Sequence, residues 1–129
     1  MRLLLDTHSF LWFVTDDPRL TTSAKQVIED IDTELFLSMA SVWEMAIKVS
    51  IGKLSLAQPI EAFVLSQLVL NSISLLDIAL PHALAVATLP FHHRDPFDRL
   101  LIVQAQIEGW PLVSADSMFD QYGVRRIWD

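Results

Sequence analysis

Short apolar segments of strand length alternate along the chain with segments of helical pattern, and this alternation limits the possible folds more than any other feature. Strands separated by helices must be joined by crossovers, and crossovers produce parallel strands. The run Leu3-Leu4-Leu5 is apolar throughout, which is typical of a strand covered on both faces. The expected fold class is therefore α/β, a three-layer α/β/α sandwich with a mostly parallel central sheet.

Capping residues and helix breakers place the boundaries of these elements. We predict strands at residues 2–6, 35–38, 73–76, 112–114 and 124–128. We predict helices at 9–14, from Thr21 or Thr22 to 32, from Ser41 to about Gly52, at 59–71, at 81–88 and at 95–108, with a helical turn at 117–121. Residues 60, 63, 64, 67 and 68 are expected to form the buried face of an amphipathic helix.

The length of 129 residues predicts a single domain spanning residues 1–129. A hydrophobic fraction of 52% and a mean hydropathy of +0.38 are high for a small soluble protein, so we expect exposed apolar surface and self-association, at least as a dimer. Neither a membrane-spanning run nor a signal-peptide pattern is visible, and we expect a cytoplasmic protein. The absence of cysteine excludes disulfides, thiolate zinc sites and cysteine nucleophiles.

Four acidic residues stand where an apolar segment gives way to a turn or a helix start: Asp6, Glu44, Asp98 and Asp116. Ligands bind at the carboxyl ends of the strands in open α/β sheets. Carboxylates gathered there would raise one another's pKa unless a cation neutralised them. Oxygen ligands of this kind suit Mg²⁺ or Mn²⁺, so the acids are candidate metal ligands.

Each acid also has a purely structural interpretation when it is considered alone. Asp6 and Asp116 could cap the helical segments that follow them. Glu44 could complete a capping box with Ser41, and Asp98 could do so with Asp95. The functional interpretation rests on the whole set, because four unrelated caps would all have to fall at one rim of the sheet.

Five segments of the chain resemble a known family in sequence and in order. They are Leu4-Leu5-Asp6-Thr7-His8, Ser41-Val42-Trp43-Glu44-Met45-Ala46-Ile47-Lys48, Gly52-Lys53-Leu54, the stretch from Leu89 to Arg99 that contains His93-Arg94-Asp95-Pro96-Phe97-Asp98-Arg99, and Leu112-Val113-Ser114-Ala115-Asp116. Together they resemble a PIN-domain ribonuclease, specifically a VapC-type toxin of a bacterial type II toxin–antitoxin system. The resemblance covers essentially the whole chain.

The resemblance implies a Mg²⁺- or Mn²⁺-dependent endoribonuclease with its acids at Asp6, Glu44, Asp98 and Asp116. It also implies a homodimer, a small VapB-like antitoxin whose C-terminal segment enters the active-site groove, and products with a 5′-phosphate and a 3′-hydroxyl. Many relatives have Thr at the position of Ser114, a mild departure because the hydroxyl is retained. The fourth acid varies most in the family, so Asp120 or Asp95 could share that role.

Several other polar residues are candidates for substrate contact. Thr7 and Ser114 could donate to the carboxylates or satisfy local backbone. Lys48 could meet a phosphate or pair with Glu44 one helical turn away. Arg99 could contact RNA or form an exposed ion pair. The remaining candidates are three histidines that we expect in loops or a groove where they could touch RNA: His8, His92 and His93.

The formal charge of −7 opposes nonspecific binding of long nucleic acid, which usually depends on basic patches. Local cations could still guide a backbone phosphate. Two other function classes stay open at this level. One is a metal-dependent phosphatase that acts on a small phosphate ester with the same carboxylates, and the other is a non-catalytic protein-binding module in which the acids only cap helices.

Overall fold

A computed structural model describes residues 1–129 and shows five parallel strands enclosed by helices. The strands are β1 (Arg2–Leu5), β2 (Glu34–Ser38), β3 (Ile73–Leu76), β4 (Leu112–Val113) and β5 (Arg126–Ile127). Their order in the sheet is β3-β2-β1-β4-β5. The predicted three-layer α/β/α fold with a parallel sheet is confirmed.

The helices are α1 (Thr7–Val14), α2 (Thr22–Glu29), α3 (Met39–Ser50), α4 (Ile60–Leu70), α5 (Leu80–Ala85) and α6 (Pro96–Glu108). Two short 3₁₀ segments, Val86–Thr88 and Ser117–Tyr122, complete the chain. The predicted helices are present, although α2 ends three residues before Asp32. None of the helices combines the length and hydrophobicity needed to span a bilayer.

Strand β1 is central because its side chains enter both cores. Leu3 and Leu5 pack with α1 to α4, whereas Leu4 packs on the opposite face with α6 and the Ser117–Tyr122 turn. All three leucines are completely buried. This arrangement explains the unbroken apolar run, since neither face of the strand meets water.

The chain order creates a switch point between β1 and β4. From β1 the chain builds the sheet in one direction through β2 and β3, and it later returns to place β4 and β5 on the other side. Residues that follow β1 and β4 therefore meet at the carboxyl ends of adjacent strands, where the diverging crossovers leave a crevice.

Helix α3 begins earlier than the sequence predicts. Ser38, at the end of β2, is the N-cap and its hydroxyl accepts from the Ala40 N–H at 3.0 Å. Ser41 is therefore inside the first turn of the helix, and the predicted Ser41–Glu44 capping box is wrong. Glu44 lies in the second turn, buried with its carboxylate inside the protein.

Helix α4 buries the predicted face but is not amphipathic. Phe63 and Val64 lie in the core, while Leu65, Val69 and Leu70 project outward and are largely exposed. An outward face made of leucine and valine, on a helix beside the edge strand β3, is unusual for a surface covered only by water.

Candidate functional site

The four acids come from four different elements that meet near the carboxyl ends of β1 and β4. Asp6 follows β1, Glu44 lies on α3, Asp98 lies in the first turn of α6, and Asp116 follows β4. Asp6, Glu44 and Asp116 all act electrostatically on Asp98. The structure thus brings together the residues that the sequence predicts as a set.

Asp6 combines a capping role with a position inside the cluster. Its Oδ1 accepts from the Ser9 N–H at 2.8 Å, which makes Asp6 the N-cap of α1. Burial raises the pKa of Asp6, although hydrogen bonds from the Ser114 hydroxyl and from Ser9 oppose the rise. Capping and cluster membership therefore coexist at this residue.

Glu44 is held at both carboxylate oxygens. Thr7 Oγ1 lies 2.7 Å from Glu44 Oε1 and 2.9 Å from Ser41 Oγ. Since a hydroxyl carries one hydrogen, Thr7 donates to the carboxylate and accepts from Ser41. Lys48 Nζ lies 2.6 Å from Glu44 Oε2, so the alternative that Lys48 pairs with Glu44 describes this structure.

Asp98 has the most perturbed titration in the cluster. Burial, followed by the negative charges of Asp95, Asp6, Glu44 and Asp116, raises the pKa of Asp98 to about 8. A carboxyl group with such a pKa is largely protonated at neutral pH unless a cation joins the cluster. The donor chemistry therefore fits a hard divalent ion, which would offset the repulsion that the protein alone leaves.

Asp95 and Asp98 play different parts at the start of α6. Asp95 is the N-cap and its Oδ1 accepts from the N–H groups of Phe97 and Asp98 at 2.8 and 3.1 Å. The Asp95 N–H donates to His93 instead of to Asp98, so the reciprocal capping box predicted as an alternative for Asp98 is absent. The Asp98 carboxylate is left available to the cluster.

Asp116 is the N-cap of the Ser117–Tyr122 turn and also faces the cluster. Its Oδ1 accepts from the Met118 N–H at 2.9 Å, and its Oδ2 lies 2.7 Å from His93 Nε2. Asp120 points elsewhere, in a bidentate pair with Arg126 at 2.9 and 3.1 Å. The structure gives no support for Asp120 as the fourth acid, because its charge is already matched.

His93 belongs to the site although the sequence predicts only a loop or groove position for it. Its Nε2 lies 3.3 Å from Asp98 Oδ2 as well as 2.7 Å from Asp116 Oδ2. The donor atoms of His93, Asp98 and Asp116 all lie within 4.8 Å of one another. One feature of the sequence could have indicated this position. His93 stands two residues before Asp95, the N-cap of α6, so its ring can turn back toward the first turn of that helix.

Arg99 is not an exposed RNA contact, and that prediction is corrected. The side chain is buried, and the guanidinium donates to the carbonyl oxygens of Leu89, Pro90, His93 and, more weakly, Val86, at 2.9 to 3.4 Å. These bonds use its donors to hold the loop before α6 in place. Phe91 covers the guanidinium, 4.0 Å from its ring centroid.

A cleft of about 500 Å³ lies along α1, lined by residues that contact Glu44 but by none of the four acids themselves. Thr7 and Lys48, which both bond to Glu44, line it together with Lys53. Its wall also includes His8 and Trp12, whose rings are 5.6 Å apart. The cleft therefore places cations and aromatic rings beside the acids, despite the net negative charge of the chain.

Comparison with known proteins returns matches over nearly the whole chain. A family model described as PIN domain matches residues 3–124. The ribonuclease VapC22 of Mycobacterium tuberculosis is 32% identical over 121 residues, which cover 88% of this chain and 86% of that protein.

Solved structures with a similar fold include two toxin–antitoxin complexes bound to DNA. VapBC2 from Rickettsia felis, bound to a DNA fragment from its promoter, has a TM-score of 0.74 at 16% identity over 100% of both chains. VapBC from Salmonella typhimurium has a TM-score of 0.68 at 16% identity over 98% of this chain and 96% of that one. At this level of identity the two structures support the fold.

The raised pKa of Asp98 predicts a pH-dependent stability of the metal-free protein. The native state holds a proton on Asp98 that the unfolded chain releases above pH 4, so this group makes the free energy of unfolding fall as the pH rises from about 4 to about 8. Asp98→Asn should therefore raise the melting temperature by roughly 3–8 °C at pH 8 and by little at pH 4. Thermal melts in EDTA across this range, with Asp30→Asn as a surface control, measure the difference, and an equal effect at both pH values would contradict it.

Proposed function

This chain belongs to the PIN domain family, and from that premise we propose that it is a divalent-metal-dependent endoribonuclease, the toxin of a toxin–antitoxin pair. The observation that carries the proposal is the convergence of four carboxylates from separate elements on one crevice, with the pKa of Asp98 raised to about 8 in the absence of a cation. The similarity to a VapC ribonuclease over most of both chains supports the RNA substrate. A cytoplasmic location and a single catalytic domain remain part of the proposal.

Mg²⁺ or Mn²⁺ would be held by Asp98 and Asp116, with Asp6 acting directly or through water. A divalent ion bound there would make a water molecule more acidic and neutralise charge on the scissile phosphate. Mg²⁺ retains several waters and takes few direct carboxylates, so some of the four acids act through hydrogen bonds to those waters.

The protein's own groups set the orientation of the acids. Ser114 and the Ser9 N–H fix the Asp6 carboxylate, and Thr7 together with Lys48 fixes that of Glu44. Glu44 is thereby held as an acceptor that can orient the attacking water. We propose that Thr7 and Ser114 act on RNA through the carboxylates, and that Lys48 can turn to a phosphate when substrate enters the cleft.

Asp6→Asn should abolish cleavage while leaving the fold intact. The amide keeps an oxygen that can accept from the Ser9 N–H, so the cap of α1 survives, but the negative charge in the cluster is lost. We expect a loss of activity of about 100-fold or more, equivalent to several kcal/mol of transition-state stabilisation. Expression of both proteins in a bacterial host, followed by mapping of RNA 5′ ends, measures this loss.

The exposed acid Asp30 provides a matched control, because Asp30→Asn removes one carboxylate outside the cluster. Unchanged RNA cleavage by Asp6→Asn would refute the catalytic assignment.

If the protein were a metal-dependent phosphatase, it would instead cleave a generic phosphate ester faster than RNA. The non-catalytic module would show no rise in melting temperature with Mn²⁺.

The RNA strand is proposed to lie in the cleft beside α1. Lys53 lines this cleft and forms no ion pair, so its charge is free to attract a phosphate. Stacking of a base on an aromatic ring needs an exposed face, which the exposed His8 ring could provide there. The cleft thus combines the unpaired charge of Lys53 with an exposed aromatic ring, next to the residues that hold Glu44.

Lys53→Glu should weaken RNA binding without changing the acids. We expect KM for RNA to rise several-fold with kcat little changed. The slope of the logarithm of the RNA-binding constant against the logarithm of the salt concentration should become less steep by about one, because one phosphate contact is lost. Arg125→Glu makes the same charge change at an exposed, unpaired residue beyond the opposite end of the strands, and it should have little effect. Equal effects of the two variants would argue against this path for the RNA.

A VapB-like antitoxin is proposed as the partner. Solved structures that share this fold include VapBC complexes from Rickettsia felis, Haemophilus influenzae and Salmonella typhimurium. A segment of the antitoxin that entered the same cleft would block access of RNA to the acids, which explains how a partner could inhibit the enzyme.

A homodimer is proposed through one apolar surface, here called the edge surface. Residues 62–91 contain a single formally charged side chain, Asp77. Seven of their exposed large apolar side chains come from α4, β3, α5 and the loop between β3 and α5, and they surround the free edge of β3: Leu65, Val69, Leu70, Leu75, Ile78, Leu80 and Leu84. Their exposed area is on the order of 700 Å², close to what one partner contributes to a stable interface.

A second copy of this chain suits the edge surface because the surface offers almost no charge for an oppositely charged partner to match. The double variant Val69→Glu/Leu84→Glu should convert the dimer to a monomer, since each copy would bury two carboxylates. Ile31→Glu, at an apolar residue that is 96% exposed outside this surface, is the control. Sedimentation velocity measures the mass, and a monomeric wild-type protein would exclude the dimer.

A further inference from the structure

We propose that His93 is a positioning residue that donates a hydrogen bond from Nε2 to Asp116, and that it is not a metal ligand. The metal site would then offer oxygen ligands only, although a ring nitrogen of His93 lies within 4.8 Å of carboxylate oxygens of Asp98 and Asp116. The proposal deepens the proposed function and rests on Asp98 and Asp116 as metal-binding residues.

The hydrogen bond at Nδ1 decides which ring nitrogen carries the proton. The backbone N–H of Asp95 donates to His93 Nδ1 at 3.1 Å. A backbone N–H can only donate, so Nδ1 must present a lone pair and carry no hydrogen. The ring in this arrangement is therefore the neutral tautomer with its hydrogen on Nε2.

That hydrogen points at the carboxylates of the site. Nε2 lies 2.7 Å from Asp116 Oδ2, a short charge-assisted bond, and 3.3 Å from Asp98 Oδ2. To bind a metal, Nε2 would need its lone pair, and the hydrogen would have to move to Nδ1. It would then face the Asp95 N–H, and the bond that links the loop to the start of α6 would be lost.

The rest of His93 is held so that the ring cannot easily turn away. Its N–H donates to Tyr122 Oη at 2.7 Å, and its carbonyl accepts from Arg99 at 3.1 Å. The ring stacks on Phe119 with centroids 5.6 Å apart and planes 25° apart. Each polar group of His93 thus has a partner, and the conformation of the loop fixes the orientation of the ring.

As a result, each carboxylate oxygen of Asp116 accepts one hydrogen bond from a fixed donor. The Met118 N–H holds Oδ1, and His93 holds Oδ2. Each oxygen keeps a second lone pair for a cation or its waters. A site with only such oxygens favours Mg²⁺ or Mn²⁺ over Zn²⁺, for which an imidazole ligand would be an advantage.

The tautomer can be measured directly on the wild-type protein without RNA. Long-range ¹H–¹⁵N NMR of the histidine rings should show His93 protonated at Nε2 both in EDTA and with saturating Mg²⁺. Asp116→Asn should shift the Nε2 proton resonance. A hydrogen on Nδ1, or loss of the Nε2 hydrogen when Mg²⁺ is added, would overturn the proposal.

Two substitutions separate the two ring nitrogens. The side-chain amide of His93→Gln can place a donor near the Nε2 position, whereas that of His93→Asn reaches only the Nδ1 position. We expect Mn²⁺ affinity, followed by electron paramagnetic resonance of the free ion, to fall by about 10–100-fold in His93→Asn and to recover substantially in His93→Gln. His92→Asn changes the neighbouring exposed ring and should bind Mn²⁺ as the wild type does.

The outcomes distinguish this proposal from the proposed function. If the wild type binds no Mn²⁺, metal-dependent catalysis fails, while NMR still reports the hydrogen bond between His93 and Asp116. If both His93 variants bind Mn²⁺ as tightly as the wild type, the positioning role fails while the nuclease assignment stands. Thermal melts check that each variant is folded, and the wild-type tautomer decides the question if His93→Asn is not.

Discussion

The gathering of partly and fully buried carboxylates near the carboxyl ends of β1 and β4 is the constraint on which the rest of the site depends, because both burial and mutual repulsion oppose their negative charges. Burial first, and then the negative charges of Asp95, Asp6, Glu44 and Asp116, raises the pKa of Asp98 to about 8. Such an arrangement lowers the stability of the ionised protein until a proton or a cation relieves it. This cost of negative charge is therefore the physical link between the architecture and the metal-dependent activity that we propose.

The acids are supported from two sides by different chemistry. On the α1 and α3 side, Thr7 and Lys48 hold Glu44 through a hydroxyl and an ammonium group. On the other side a loop provides His93, and Arg99 holds that loop by its carbonyl oxygens. The sequence predicts Arg99 as a substrate contact, but the residue acts inside the protein. Its planar guanidinium group can donate to several carbonyl oxygens at once.

Local sequence rules succeed where one element decides the outcome and fail where two elements meet. Thr21 caps α2 as expected, because the cap is a contact within one turn. The start of α3 was missed because Ser38 serves both as the last residue of β2 and as the cap, with its hydroxyl also bonded to the buried Gln104. His93 was placed only in a loop, since its bond to Asp116 spans 23 residues, and no local pattern reports such a distance.

The sequence by itself determined the fold class, and it placed Asp6 and Asp116 at one rim of the sheet, because each follows an apolar run that forms a parallel strand. It also singled out Glu44 and Asp98, but the packing of α3 and α6 is what brings these two acids to the same rim. Only the tertiary structure decided the surroundings of the acids: which oxygen meets which donor, that Arg99 faces inward, and that the outer face of α4 is left uncovered. The physical reason is the distance along the chain over which each feature is decided. Strand and helix patterns follow from neighbouring residues, whereas hydrogen-bond partners and exposure depend on how separate elements pack.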